Sequence, residues 1–351
     1  GWFLQSLCIE RKSVAQELGI QRNEVRLVNY IIRRMLYAIP ILIGVNLITF
    51  TLFFVVNTPD DMARMHLGIK RVTPEAILKW KQERGYDKAL IYNSAEKGAD
   101  RFTNTIFFEK STAMFVFDFG RADDGRDIAH EIKTRMLPSL AIALPVFILG
   151  LISYITFALI MVFFRATYID LWGVVLCVAI MSISLLFYVI GGQFLISKLW
   201  HLVPISGFSG GLDIGKFLVL PVIIGVFSGS GASARWYRTI FLEEMGKDYV
   251  RTARAKGLPE SIVLFRHVLG NAMIPILTGA VVLIPSLFMG SLILESFFGI
   301  PGLGSYTIDA ISSQDFAVVR AMVFLGSFFY IIGLILTDIS YTLVDPRIRL
   351  E

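Results

Sequence analysis

The sequence predicts an all-α polytopic membrane protein with six transmembrane helices, and three observations carry that prediction. Of its 351 residues, 55% are hydrophobic and 17% charged, against about a quarter charged in a soluble domain. Phenylalanine (28 residues) and glycine (29) are both abundant, and glycine is commoner in membrane helices than in soluble ones. Six runs reach the roughly 20 apolar residues needed to cross a bilayer: 36–56, 137–164, 171–196, 217–234, 268–294 and 321–344. This composition excludes disorder, collagen and a disulfide framework. Cys8 and Cys177 are the two cysteines, and Cys177 lies in an apolar run, where it reads as packing.

Orientation follows from the basic residues beside the spans, which collect on the cytoplasmic side of short loops. Arg11, Lys12, Arg22, Arg26, Arg33 and Arg34 precede span one, seven more lie in 235–266, and Arg165, Arg347 and Arg349 fall on the same side. The opposite short connections carry Lys198, Lys216 and Arg320. Both termini and the 235–266 connection are therefore expected in the cytoplasm. The net charge of +5 is a topology marker, and no nucleic-acid partner is expected.

In chain order, 1–35 is a cytoplasmic segment. Its opening Trp2, Phe3, Leu4 and Leu7 are followed at once by Glu10, Arg11 and Lys12, too short an apolar core for a cleavable signal peptide. After span one (36–56), residues 57–136 form a long external insertion. Over 57–135 it carries 14 basic and 13 acidic residues, and loops beyond about 60 residues escape the charge rule. Within it Thr73 is an N-cap, Pro74 the first helical residue and Gly85 the stop. A second helix is expected over 124–136, with Ile128, Ile132 and Met136 on one face, leading into span two. Two roles fit the insertion: docking an external partner, or stabilising the outer face.

Residues 137–344 hold the other five spans. Gly225, Gly229 and Gly231 in the short fourth span either mark close helix contact or are ordinary membrane glycines. Spans two and three are rich in Phe and Ile (Ile152, Ile155, Phe157, Phe163, Phe164), as lipid-facing helices or an altered pathway would be. Asp338 is the one charge deep in a span, a position that attracts functional suspicion; pairing with Arg235 or Arg238 is expected. Glu295 ends span five and is read as stabilising the loop that follows. Residues 345–351 are a cytoplasmic tail.

The connection over 246–262 is the most informative stretch. Helix formers run from Asp248 to Lys256, Gly257 supplies a stop, and Pro259 with Glu260 restarts a helix. Arg251, Arg254 and Lys256 keep the first helix in water, while Ala253, Ala255 and Gly257 permit close approach by another protein. A docking helix and a solvated amphipathic connector both satisfy these residues.

No enzyme motif accompanies it. Gly210-Gly211-Leu212-Asp213-Ile214-Gly215-Lys216 is a partial phosphate-loop match, followed by Phe217 where Ser or Thr is needed and preceded by no strand. His66, His130, His201 and His267 lack metal-ligand spacing. No catalytic residue and no metal site is expected.

Tyr249-Val250-Arg251-Thr252-Ala253-Arg254-Ala255-Lys256-Gly257-Leu258, followed by Phe265-Arg266-His267, is similar to the coupling motif of permease subunits in the oligopeptide/dipeptide family of ABC importers. Other segments resemble the same family: Arg33-Arg34, Asp118-Phe119-Gly120-Arg121, and Val344-Asp345-Pro346-Arg347-Ile348-Arg349 with Asp338. Gly85-Tyr86-Asp87-Lys88-Ala89-Leu90 resembles its external Gly-Leu-Asp-x-Pro-Leu element, departing at Tyr86 and Ala89. Glu295-Ser296-Phe297-Phe298-Gly299-Ile300-Pro301-Gly302-Leu303-Gly304 resembles its re-entrant external loop. The insertion is longer than in simple members, with extra material around 97–112.

The resemblance implies a type I ABC importer permease fold in a bacterial inner membrane, forming half of a translocation path for peptides. It implies a second homologous permease, two cytoplasmic ATPases carrying ATP and Mg, and an external substrate-binding protein as partners. Asp248, Arg251, Ala253, Arg254, Ala255, Lys256 and Gly257 would be the ATPase-coupling residues; Glu295, Phe298, Pro301, Gly302 and Gly304 would form an external gate. Another small solute (a nickel chelate, an opine, an antimicrobial peptide) is the alternative cargo within the family. A secondary carrier is the rival from outside it, but no inverted repeat or mid-membrane ionisable group supports that.

Overall fold

The computed structural model describes residues 32–68, 73–94, 96–209 and 213–344. The readings placed on Cys8, on the basic residues before Arg33, on Gly210-Gly211-Leu212 and on 345–351 lie outside the described residues. Those described form helices and turns, with no named strand among them. Five helices are long and apolar enough to cross a membrane, or six if one bent pair is a single span.

Helix α1 (Ile32–Val56) enters the insertion. There α2 (Pro59–Leu67) begins with a reciprocal Thr58/Asp61 capping box and Pro59, which satisfies backbone donors that a helix start leaves open. Helix α3 (Pro74–Arg84) is capped by Thr73 and closed by Gly85 at φ 67°, as the sequence predicts. The short α4 (Asp100–Thr103) leads into α5 (Ile106–Phe115). Phe50 and Phe54 of α1 pack with Met62, Ile77, Trp80, Tyr86 and Ile106 into one buried cluster. The insertion is thus moulded onto the end of span one.

The expected 124–136 helix and span two are a single element, α6 (Ile128–Phe163), capped by Asp127 and containing Pro138 and Pro145. The expected third span, 171–196, is two helices, α7 (Tyr168–Met181) and α8 (Leu185–Leu199), meeting at 88°. Ser184 at the break has extended backbone, and Tyr188 donates its hydroxyl to the freed Ile180 carbonyl at 2.9 Å, which meets the demand that buried backbone groups be satisfied in lipid.

Helix α9 (Ile214–Met245) runs well past the predicted end of span four and packs along α6 and α7. Its glycines are contact points. A Cβ on Gly225 would sit 2.9 Å from Val146, and one on Gly231 would sit 2.5 Å from the Cys177 carbonyl oxygen. Tyr154 of α6, beside Gly229, donates to the Val226 carbonyl at 2.9 Å.

After α9 come α10 (Asp248–Ala255), α11 (Glu260–Ile262), a π-turn (Val263–Val268) and α12 (Leu269–Val281). A 3₁₀ turn (Pro285–Met289), α13 (Leu292–Phe298) and α14 (Leu303–Ser313) lead to the last span, α15 (Phe316–Val344). Met114, Phe119, Ala122 and Ile128 pack against Val318, Met322, Phe324 and Leu325 of α15, so the insertion clasps spans one and six together.

One expected ion pair is corrected. Asp338 pairs with Arg34 of α1 at 3.1 Å, because α1 and α15 share a buried cluster. Arg238 is instead held bidentately by Asp170 of α7, with both contacts at 2.8 Å.

Candidate coupling helix and translocation surface

The sequence places its strongest candidates on α10, and its local chemistry explains the helix. Asp248 stands in the first turn and Arg254 in the last, each complementing the backbone dipole at its end. Gly257 closes the helix at φ 76°, with its N–H donated to Arg254 O at 2.9 Å and Leu258 N–H to Ala253 O at 3.4 Å, a pattern suited to glycine.

Val250 and Ala253 are buried in a cluster with Leu159 and Val162 of α6, Phe241 of α9, and Val263 and Val268 beyond the turn. One edge of α10 is therefore seated on three spans. Asp248, Arg251, Arg254, Ala255, Lys256 and Gly257 are exposed on the other edge. Arg254 reaches Glu260 at 2.8 Å and Arg251 reaches Asp248 at 3.5 Å, exposed pairs that contribute little stability by themselves. The arrangement presents a cationic, small-residue ridge on a rigid footing.

Sequence reasoning missed what fixes the angle between α9 and α10. Glu244 is buried and accepts from the Tyr249 hydroxyl at 2.6 Å and from Lys247 Nζ at 2.5 Å. Burial first, and the Glu244 carboxylate second, push the Tyr249 hydroxyl well above its ordinary pKa. The Glu-x-x-Lys-x-Tyr spacing was the available signal.

The loop residues Glu295, Phe298, Pro301, Gly302 and Gly304 lie together at the insertion side of the spans. Glu295 is fully buried and accepts backbone N–H groups from Ser291 at 3.0 Å, Gly304 at 2.7 Å and Ser305 at 3.2 Å. The last two open α14, where positive dipole ends favour an anion. A Cβ at Gly290 or Gly302 would collide with the Glu295 carboxylate, and one at Gly304 would sit 2.7 Å from the Ser291 backbone. Phe298 is buried, and its carbonyl accepts Gly207 N–H at 2.7 Å, whereas Pro301 is exposed. Glu295 thus pins the loop, as its position at the end of span five suggests.

Between this loop and the middle of the spans lies a cavity of about 380 Å³. Its polar lining is hydroxyl in character, including Tyr154, Ser228, Ser233, Tyr237 and Ser286, and it contains no charged side chain. None of these residues was singled out by the sequence, since a serine in an apolar run carries no directional signal.

Two family models cover this architecture. Residues 132–350 match the binding-protein-dependent transport system inner membrane component, and residues 27–114 match its N-terminal companion. The chain belongs to this permease family. A di/tripeptide transport system permease protein of Pseudomonas aeruginosa is 30% identical over 350 residues, covering 92% of this chain and 99% of the relative. A putative peptide transport system permease protein of Brucella abortus is 30% identical with the same coverage. A glutathione transport system permease protein of Salmonella paratyphi A is 28% identical over 328 residues, again covering 92% and 99%. The fold is therefore that of an all-α, multi-pass type I ABC importer permease of the peptide family.

Proposed function

We propose that this permease forms half of the translocation path of an ATP-driven peptide importer and receives its power stroke through α10. The observation that carries this reading is the division of α10 into a buried edge, Val250 and Ala253, and an exposed cationic edge ending at Gly257. A helix so mounted passes a push on its exposed edge directly to α6, α9 and α12. The chain is read as non-catalytic: ATP and Mg would reside on two cytoplasmic ATPase subunits bound to α10 and its counterpart in a second, homologous permease. An external binding protein would deliver the cargo to the opposite face.

Peptide is the cargo that the names of its relatives support. The uncharged, hydroxyl-lined cavity beside Tyr154 suits a peptide backbone, whose N–H and C=O groups bond to hydroxyls without a charge partner. The α10 side would face the cytoplasm across an inner membrane, as the excess of basic residues there supports.

The test is copurification. The tagged chain, extracted in mild detergent, should bring down stoichiometric ATPase subunits, and Arg251→Glu with Arg254→Glu should release them. Retention of the ATPases by that double variant would overturn the α10 assignment.

A further inference from the structure

We infer that the cleft between the insertion and the first turns of α15 binds a small carboxylate-bearing molecule with an apolar body, its anion held by Arg320, Lys110 and Trp80. The inference stands apart from the α10 reading, since it concerns the opposite face of the molecule.

The cleft has a volume of about 460 Å³, within the range of small-molecule sites. Its walls include Trp80, Tyr86 and Phe119, all buried, enough apolar surface to hold a side chain or ring. Arg320 lines it, is only 5% exposed, and has a buried Nε–H with no hydrogen-bond partner. Trp80, 6% exposed, likewise has an unpartnered indole N–H. Two buried donors left without acceptors in one cleft call for an acceptor.

The charges around the cleft favour an anion. The guanidinium of Arg320 lies over the Phe54 ring at 5.2 Å, Phe54 meets Tyr86 edge-on at 5.2 Å, and Lys110 Nζ lies 5.5 Å from the Tyr86 ring. Both cations therefore flank the same aromatic pair. Neither makes an ion pair among the described residues, and burial, with Arg320 second, pulls the Lys110 ammonium below its ordinary pKa.

Three of the acids nearby are already engaged. Asp123 is bound by Arg84 at 2.8 Å and faces His66 at 3.5 Å. Glu109 is bound by Lys88 at 2.8 Å, and Asp315 accepts the N–H groups of Asp123 at 2.7 Å and Val318 at 3.2 Å. Glu83 and Asp118 are exposed. Among the described residues, Arg320 is thus left as a buried positive charge with no ion pair, costly unless an anion pairs with it, and beside it the half-buried Lys110 feels Glu109 and Asp118 without an ion pair to either. A planar carboxylate matches the planar guanidinium fork.

The test uses isothermal titration calorimetry on the full chain in detergent, with N-acetylphenylalanine, its C-terminal amide and inorganic phosphate as probes. Saturable binding of the acid is expected, at least tenfold tighter than the amide and than phosphate. Lys110→Gln should weaken the acid at least tenfold and Trp80→Phe at least threefold, while Lys79→Gln, exposed outside the cleft, should leave it within twofold. Equal binding of acid and amide, preference for phosphate, or unchanged affinity in both cleft variants would each overturn the proposal. Lys110 is half-buried and Trp80→Phe keeps an aromatic ring while removing the N–H, so the test does not depend on disrupting Arg320.

Discussion

The insertion side and the α10 side of this permease solve opposite problems. At the insertion side, buried carboxylates are answered by backbone: Glu295 by three N–H groups and Asp315 by two. At the α10 side, the charges of Asp248, Arg251, Arg254 and Lys256 stay in water, and the buried edge of the helix, Val250 and Ala253, is aliphatic, with the buried Glu244 held by side chains at its root. Buried, fully satisfied polar networks fix one geometry. Exposed charges on an apolar footing keep a surface available to another molecule. One end fixes its acids inside the fold, and the other leaves its charges in water.

The largest effect that would break this contrast is at Glu295. Glu295→Ala should orphan three buried donors and destabilise the fold by about 3 kcal/mol or more, read as a lowered detergent melting midpoint. A midpoint within a degree of the parent would deny the loop its carboxylate pin. Next is Gly257→Val. Nothing lies within 4 Å of a Cβ there, so the cost is the left-handed conformation, about 1–2 kcal/mol. Its midpoint should move little, while ATP hydrolysis in the reconstituted complex separates from uptake; full uptake would count against α10 as the transmission point.

The smallest effect is the acid response of the insertion. The Arg126 side chain and backbone N–H hold the Asp124 carboxyl below its ordinary pKa. A carboxyl depressed in the folded state stabilises above its unfolded pKa, and that contribution is lost as pH falls through the folded value. Asp124→Asn should therefore flatten the loss of stability below about pH 4, followed by intrinsic fluorescence. An unchanged acid limb would remove Arg126 from that role.

What was legible in the sequence was local. Thr73, Pro74 and Gly85 fix the ends of α3 by capping chemistry that needs no distant partner, and Gly257 with Pro259 does the same for the bend after α10. Apolar runs reveal spans because the bilayer imposes length. The 88° break between α7 and α8 escaped notice, since hydropathy reports solubility and carries no direction. Asp338 was matched to Arg235 or Arg238 by charge and depth, but the choice of Arg34 depends on which helices are neighbours. Arg320 looked like one of a few basic residues beside a span; only the fold encloses it with Trp80 and Lys110.

Helix α6 joins the two ends. It runs 36 residues without interruption, about 54 Å at 1.5 Å per residue, well beyond the roughly 30 Å of bilayer hydrocarbon. Ile128 and Ile132 are embedded where the insertion meets α15, and Ala158, Leu159 and Val162 are embedded beneath α10. Such a rod is a lever: tilting it by about 10° around its midpoint carries each tip about 5 Å. Pro138 lies toward the insertion end and Pro145 at the midpoint, leaving the arm under α10 with an unbroken hydrogen-bond ladder and the greater stiffness.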